Sequence, residues 1–398
     1  MKCELRTICD FRKGKIEVSK LNQSTYISTE NMVPDKGGVV EASSLPNSLT
    51  TQEFQPGDIL VSNIRPYFKK IWHAKYSGGC SNDVLVFTAK GGVDPTFLYY
   101  LLSDDAFFSF STATSKGTKM PRGDRKAIMQ YAVPQYDLPT QKKIGSILRS
   151  LDDKIELNKK ISENLEQQAV LLFEKWFINF DNTSCPMIES QFGKIPSTFK
   201  IQKNIELPMI VTDYVANGSF ASLKANVTLY QEPNYAYFIR NTDLKSGTFE
   251  VFVDEHSYRF LSKSTLYGGE IIISNVGDVG SVFLCPKLDK PMTLGNNIIM
   301  LRTKQRNLQY YLYIWFKWFY GQSLIQGITG GSAQPKFNKT DFKNLSVFLP
   351  DDALLEQFHQ TVKPMFELID RNNDENQNLI TTRDTLLPKL MNGEIEIR

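Results

Sequence analysis

Two stretches of the chain carry an apolar stripe that steps alternately by three and four residues, the period of a helical seam. Between Gln141 and Phe177 it runs Ile144, Leu148, Leu151, Ile155, Asn158, Ser162, Leu165, Ala169, Leu172 and Trp176. The spacing returns 214 positions later as Phe358, Val362, Met365, Ile369, Asn372, Asn376, Leu379, Arg383, Leu386 and Leu390. Both stripes break at the same place with a polar residue, Asn158 and Asn372. An Asn buried in a seam costs stability but fixes register, because its amide demands a partner. The matching seams predict two long helices that pair with each other. Leu151, Ile155, Asn158, Leu165 and Leu172 would face Ile369, Asn372, Leu379 and Leu386, antiparallel if the chain is pseudo-twofold. A helix of about 36 residues is on the order of 55 Å long at 1.5 Å per residue. Pro364 is expected to kink or delay the second helix, and Pro388 to loosen its last turn.

Ahead of each seam the periodicity changes. Short β-rich runs, Ile59 to Ser62 and Val84 to Thr88, sit between Gly, Pro and Asn turns. Asp94-Pro95 opens a helix that runs to Ser103, and YYLYIWF around Leu312 is its counterpart. Strand-like runs, Tyr131 to Pro134 and Ser346 to Pro350, close the two segments. The segments are copies. PGDILVSNIRP (Pro56 to Pro66) answers GGEIIISNVGD (Gly268 to Asp278), SNDVLVF (Ser81 to Phe87) answers GNNIIML (Gly295 to Leu301), and KGTKMPR (Lys116 to Arg122) answers GGSAQPK (Gly330 to Lys336). The expected fold is therefore α+β: two tandem mixed α/β domains, each followed by a long helix, with the helices pairing as an antiparallel coiled coil. The boundaries read 1–137, a central helix 138–180, a linker and second domain 181–350, and a C-terminal helix 351–398. DNTSCPM (Asp181 to Met187) is turn-rich and reads as the linker. A duplicated, pseudo-twofold chain suits a partner that is itself roughly twofold, such as duplex DNA.

Composition adds little at first. The 398 residues leave room for two full cores, and the net charge is only +3. Distribution matters more: from Arg65 to Lys126 ten cations, among them Lys69, Lys70, Lys116, Lys119, Arg122 and Arg125, stand against five aspartates. That imbalance suits phosphates, and a merely solvated surface is the alternative. The five cysteines are scattered without a CxxC and read as reduced, mostly buried thiols. Neither a signal peptide nor a membrane span is apparent, so a cytoplasmic protein is expected.

Candidate chemistry is sparse. Phosphate-binding GxxxxGK[ST] and dinucleotide GxGxxG patterns are absent, and the three histidines lack metal-ligand neighbours. An amino-methyltransferase loop would need Asn or Asp followed by two prolines and an aromatic residue. Asp94-Pro95-Thr96-Phe97 lacks the second proline. Neither a catalytic residue nor a metal ligand is assigned. The repeated loops are the better candidates. Ser62-Asn63 and Ser274-Asn275 each close a β-run; Asn can pair bidentately with adenine, and Ser can serve bases or phosphates. The alternative is that they stabilise the turn through their own backbone. The basic loop Lys116 to Lys126 and its copy Gly330 to Lys339 combine glycines, which let amides approach a phosphate, with cations. The DNA-binding candidates are therefore Ser62, Asn63, Arg65, Lys69, Lys70, Lys116, Lys119, Arg122 and Arg125 in the first copy. In the second they are Ser274, Asn275, Ser332, Gln334, Lys336 and Lys339.

At this point the chain resembles the specificity subunit of a type I restriction-modification system. The resemblance covers essentially the whole length. It rests on LPTQKKIGSILRSLDDKIELNKKISENLEQQAVLLFEKWF (Leu138 to Phe177), on the second helical half from Leu354 to Ile395, and on YISTENM (Tyr26 to Met32) and GKIPSTFK (Gly193 to Lys200). It implies two target recognition domains that each read half of a split DNA site, and paired helices that act as a spacer and dock two methyltransferase subunits. Restriction subunits would join through these. It implies no catalysis and no cofactor on this chain, S-adenosylmethionine, ATP and magnesium belonging to the partners. Gly277-Asp278 in place of Arg65-Pro66 implies that the two domains contact DNA differently. Two other readings stay open, a self-sufficient methyltransferase or nuclease and a scaffold that binds only protein.

Overall fold

The computed structural model describes residues 2–181 and 183–395. Asn182, inside the segment read as a linker, and the extreme ends of the first and last predicted segments lie outside the described residues. The chain divides into two units, Met1–Asn158 with Asp374–Arg398, and Lys159–Asn373.

In the first unit, strands Cys9–Phe11, Val84–Ala89, Ile59–Ser62 and Ile71–His73 form an antiparallel sheet in that order. Ile59 faces Phe87 and Val61 faces Leu85. Successive side chains of a strand point to opposite faces. Ile59, Val61, Leu85 and Phe87 accordingly pack under helices Pro95–Ser103 and Asp105–Ala113. Leu60, Val84 and Val86 enter a second cluster with Phe54 and Trp72. Both faces are buried, which is why these strands read as unbroken apolar runs. A second sheet has the order Lys15–Glu17, Thr50–Phe54, Gly78–Cys80 and Tyr26–Ile27. Helix Pro95–Ser103 begins where the sequence placed it: Asp94 caps the Phe97 amide at 2.8 Å, with Pro95 in the first turn.

The second unit repeats the scheme. Strands Met209–Asp213, Ile298–Thr303, Ile271–Ser274 and Val282–Leu284 form its sheet. Ile271, Ile273, Ile299 and Leu301 pack with helix Asn307–Lys317, while Ile272, Ile298 and Met300 fill the opposite cluster. A second sheet has five strands, with Ala236–Ile239 at the centre.

Each long helix is continuous, Leu138–Phe173 with a π-type turn Glu174–Ile178 at its end, and Asp352–Met391. Within the first unit, Asp152 pairs with Arg383 at 2.8 Å, and Asn158 donates to Asn376 at 3.0 Å and to Glu375 at 2.7 Å. Within the second, Asn372 donates to Ser162 at 3.2 Å, and Phe173 stacks edge-on against Phe358. Positions rise on one helix as they fall on the other, so the facing segments run in opposite directions inside each unit. Of the expected seam residues, Ile155, Asn158 and Asn372 are buried; Leu151, Leu165, Leu172, Ile369, Leu379 and Leu386 are half-buried. Of the kink or delay expected at Pro364, the delay does not occur: the helix starts at Asp352, twelve residues earlier. Pro364 is exposed, while Val362 and Phe366 on either side are buried in the core and hold the backbone helical through the missing amide.

Candidate nucleic-acid interface

Two loops meet at the end of the central strand in each unit. In the first, the chain leaves Ser62 and turns through Asn63 and Arg65. Asn63 N–H donates to the Asp83 carbonyl at 2.8 Å, and its carbonyl accepts from Gly123 N–H at 3.0 Å. Arg65 N–H donates to the Pro121 carbonyl at 2.8 Å. Lys116 and Arg122 exchange two N–H···O bonds of 2.9 Å, closing the neck of the loop Gly117–Pro121. Close approach explains Gly123: a Cβ there would lie 2.8 Å from Asn63 Oδ1. Asp124 then caps the helical turn Arg125–Ile128. The same backbone bonds recur in the second unit. Asn275 N–H donates to Asn297, Phe337 N–H to Asn275 and Gly277 N–H to Pro335, at 3.1, 3.1 and 2.8 Å. Gly330 and Lys336 close the neck at 2.9 and 2.8 Å, and Asn338 caps the following helix. Gly117 and Gly331 hold φ of +96° and +95° at equivalent points.

This construction sorts the candidates. Ser62 is buried and its hydroxyl donates to the Ile64 carbonyl at 3.1 Å; Ser274 is buried as well. Asn63 is 8% exposed, and the Asn275 amide donates to the Phe337 carbonyl at 3.3 Å. Ser62, Asn63 and Ser274 are buried behind the loops and Asn275 is half-buried, and the two asparagines fasten the loops through their main-chain groups. The loops themselves present side chains outward. Lys116, Lys119 and Arg122 are exposed in the first unit, and Ser332, Gln334 and Lys336 in the second.

Many of the cations are held by acids. Lys116 meets Asp124 at 2.5 Å, Arg122 meets Asp83 at 3.1 Å, Lys69 meets Asp105 at 2.9 Å and Lys339 meets Asp213 at 2.8 Å. Lys116 and the amides of Ala127 and Lys126 hold the Asp124 carboxyl down at about 2. Lys70 donates to the Thr29 carbonyl at 2.7 Å, and burial lowers its pKa. Arg125 donates to the Asn82 carbonyl at 3.1 Å with its guanidinium over Phe11. Lys119 has no ion pair among the described residues. A cleft of about 370 Å³ in the second unit is lined by Tyr214, Phe220, Lys224, Asn275 and Asn297.

Sequence reasoning missed the buried carboxylates at the other end of the same strands, just before Ile59 and Ile271. Asp58 is 1% exposed and accepts from Arg12, from Thr88 at 2.8 Å and from the Gln55 amide at 2.7 Å. Glu270, its counterpart in the repeated motif, accepts from Arg302 at 3.0 Å and from the Tyr267 amide at 3.0 Å. The signal was present as the acid shared by PGD and GGE, one residue after the turn glycine. Among the described residues, no group of His, Cys, Asp and Glu could hold a metal, and no helix is long and apolar enough to cross a membrane. The arrangement can bind an anionic backbone and present loop side chains to base edges.

A family model described as the type I restriction modification DNA specificity domain matches residues 2–167 and 187–381. The chain is 25% identical over 314 residues to the MjaIX specificity subunit of Methanocaldococcus jannaschii, covering 77% of this chain and 71% of that protein. It is 23% identical over 434 aligned positions to the HindI specificity subunit of Haemophilus influenzae, covering 93% and 94%. In fold it is similar to the crystal structure of the type I restriction-modification S subunit from M. genitalium, with TM-score 0.55, 16% identity, and coverage of 100% and 96%.

Proposed function

The chain belongs to the type I restriction-modification DNA specificity family, and from that premise we propose how its parts divide the work of sequence recognition. Residues 1–137 and 181–350 act as target recognition domains, each reading one half of a split site on double-stranded DNA. Lys119 and Arg122 in the first, and Ser332, Gln334 and Lys336 in the second, approach the DNA from the closed loops. Lys and Arg contacts to phosphate position each domain, and side chains at base edges specify. Ser62, Asn63, Ser274 and Asn275 set the loops. The observation that carries this reading is the recurrence of one set of backbone bonds in both units, with different side chains on the loops it holds.

The helices of 138–180 and 351–398 pair as an antiparallel coiled coil that sets the gap between half-sites and docks two methyltransferase subunits. The opposed contacts of Asn158 and Asn372 support this pairing. The chain itself makes no bond. S-adenosylmethionine, and ATP with magnesium where cleavage follows, belong to partner subunits. Modified-base sequencing of the host genome with and without this gene tests the reading. Loss of one split methylation motif on deletion is the expected result. An unchanged methylome, with the methyltransferase expressed, counts against it.

A further inference from the structure

Six non-glycine residues among those described hold a positive φ, and four of them sit together in the first unit. They are Asp35 (52°), Lys36 (63°), Arg65 (49°) and Lys69 (51°). Left-handed backbone is unfavourable for residues with a Cβ and persists only where the surroundings over-determine it. Here two segments brace each other. Asp35 N–H donates to the Phe68 carbonyl and Lys36 N–H to the Lys69 carbonyl, both at 2.9 Å. Phe68 N–H closes back on Arg65 at 3.0 Å and Lys69 N–H on Pro66 at 2.9 Å. Lys36 and Lys69 also grip Asp105 together, each at 2.9 Å.

What this bracing holds out is aromatic. Tyr67 is 48% and Phe68 36% exposed, their ring centroids 4.8 Å apart. Arg65 and Lys70 stand over the Phe68 ring at 6.0 and 5.9 Å. The turn is tied to the basic loop by the bond from Arg65 to Pro121. The second unit has Gly277-Asp278 here instead, with Asp278 fastened to Lys245 and Ser281 at 2.6 Å each.

We infer that the Tyr67–Phe68 ledge is a stacking wedge by which the first unit engages its half of the duplex, and that the second unit has no counterpart at its own turn. The inference rests on the DNA reading above. Duplex DNA is the occupant because the ledge shares a neck with the exposed cations of the loop, and because rings flanked by cations match bases flanked by phosphates. Every base has a π-face, but in a duplex those faces are stacked on one another, so the rings gain contact by opening a base step. The wedge therefore favours deformable steps, adding selectivity at positions no side chain reads.

The test uses the full chain assembled with its methyltransferase subunits, on a duplex carrying the motif found by modified-base sequencing. Tyr67→Ala/Phe68→Ala is expected to weaken binding about tenfold or more. It should also abolish a permanganate-reactive thymine present in one half-site only. Thymines opposite bases flipped for methylation would react in both halves and stay unchanged. Tyr67→Trp/Phe68→Tyr keeps two rings and is expected to preserve affinity and pattern. If the double alanine variant does not fold, Tyr67→Ala alone carries the same readouts. Unchanged affinity, an unchanged reactivity pattern, or loss of methyltransferase assembly with DNA contact intact overturns the wedge. Failure of the wild-type assembly to bind any split motif overturns the DNA reading instead.

Discussion

Asn158 and Asn376 meet in the interior of the first unit, amide to amide at 3.0 Å, with exposures of 0% and 6%. The second unit holds Asn372 against Ser162, the same two positions moved along by the repeat. Register is thus encoded twice, by polar pairs that a slip of one residue would strand without partners.

Asn158→Ala is expected to destabilise the chain by about 1–3 kcal/mol, because the buried Asn376 oxygen loses its donor. Asn158→Leu with Asn376→Leu should recover most of that loss while loosening register. Urea unfolding of the three proteins checks both statements.

The helices were legible in the sequence because a seam repeats from Ile144 to Trp176 and again from Phe358 to Leu390, and the strands because both their faces are buried. The repeated loops were legible as copies, but what holds them was not visible: main-chain bonds such as Arg65 to Pro121 join residues distant in the chain and leave no residue-type signature. Burial of Ser62 and Ser274 was equally hidden, since Ser-Asn at a strand end suits an exposed reading residue and an internal fastener alike. The delay expected of Pro364 does not occur because propensity counts the lost amide and not the core on either side.

Removal of Asp58 strands Arg12 and the Gln55 amide at the start of strand Ile59–Ser62, the end away from the first loop. Asp58→Ala is expected to cost about 3 kcal/mol, since breaking a largely buried pair leaves one charge uncompensated. Asp58→Ala/Arg12→Met should cost less than Asp58→Ala alone, as thermal or urea unfolding would register.

Asp124 sets an acid limit on the first loop. Its carboxyl is held at about 2, below an ordinary Asp near 3.9. A lowered folded value means stability that is complete above the unfolded value and lost as pH falls through the folded one. The difference in melting temperature between wild type and Asp124→Ala should be full at pH 5, shrink below pH 4 and vanish only below about pH 2.

Lys119→Ala is expected to lower duplex affinity and to reduce the slope of log K against log salt by about 1, the signature of one lost phosphate contact. The same loss of affinity with an unchanged slope would make Lys119 a base-edge residue.

Four residues inserted after the exposed Gln167 add about 6 Å of helix. The gap between half-sites should lengthen by about one or two base pairs with both half-sites unaltered. Altered half-sites with the old gap would sink the spacer role.

The neck of each loop is closed by main chain alone, Lys116 to Arg122 and Gly330 to Lys336. Backbone bonds are indifferent to the side chains they join, so the five positions between each pair of anchors have no part in closing the neck. Gly117 and Gly331 are fixed by their positive φ, and the remaining four positions of each loop form a slot into which new residues can be written while the frame stays constant. On the proposed reading, such a chain changes what it reads by mutating a tip, and two such slots let one half of the site drift while the other keeps its old meaning.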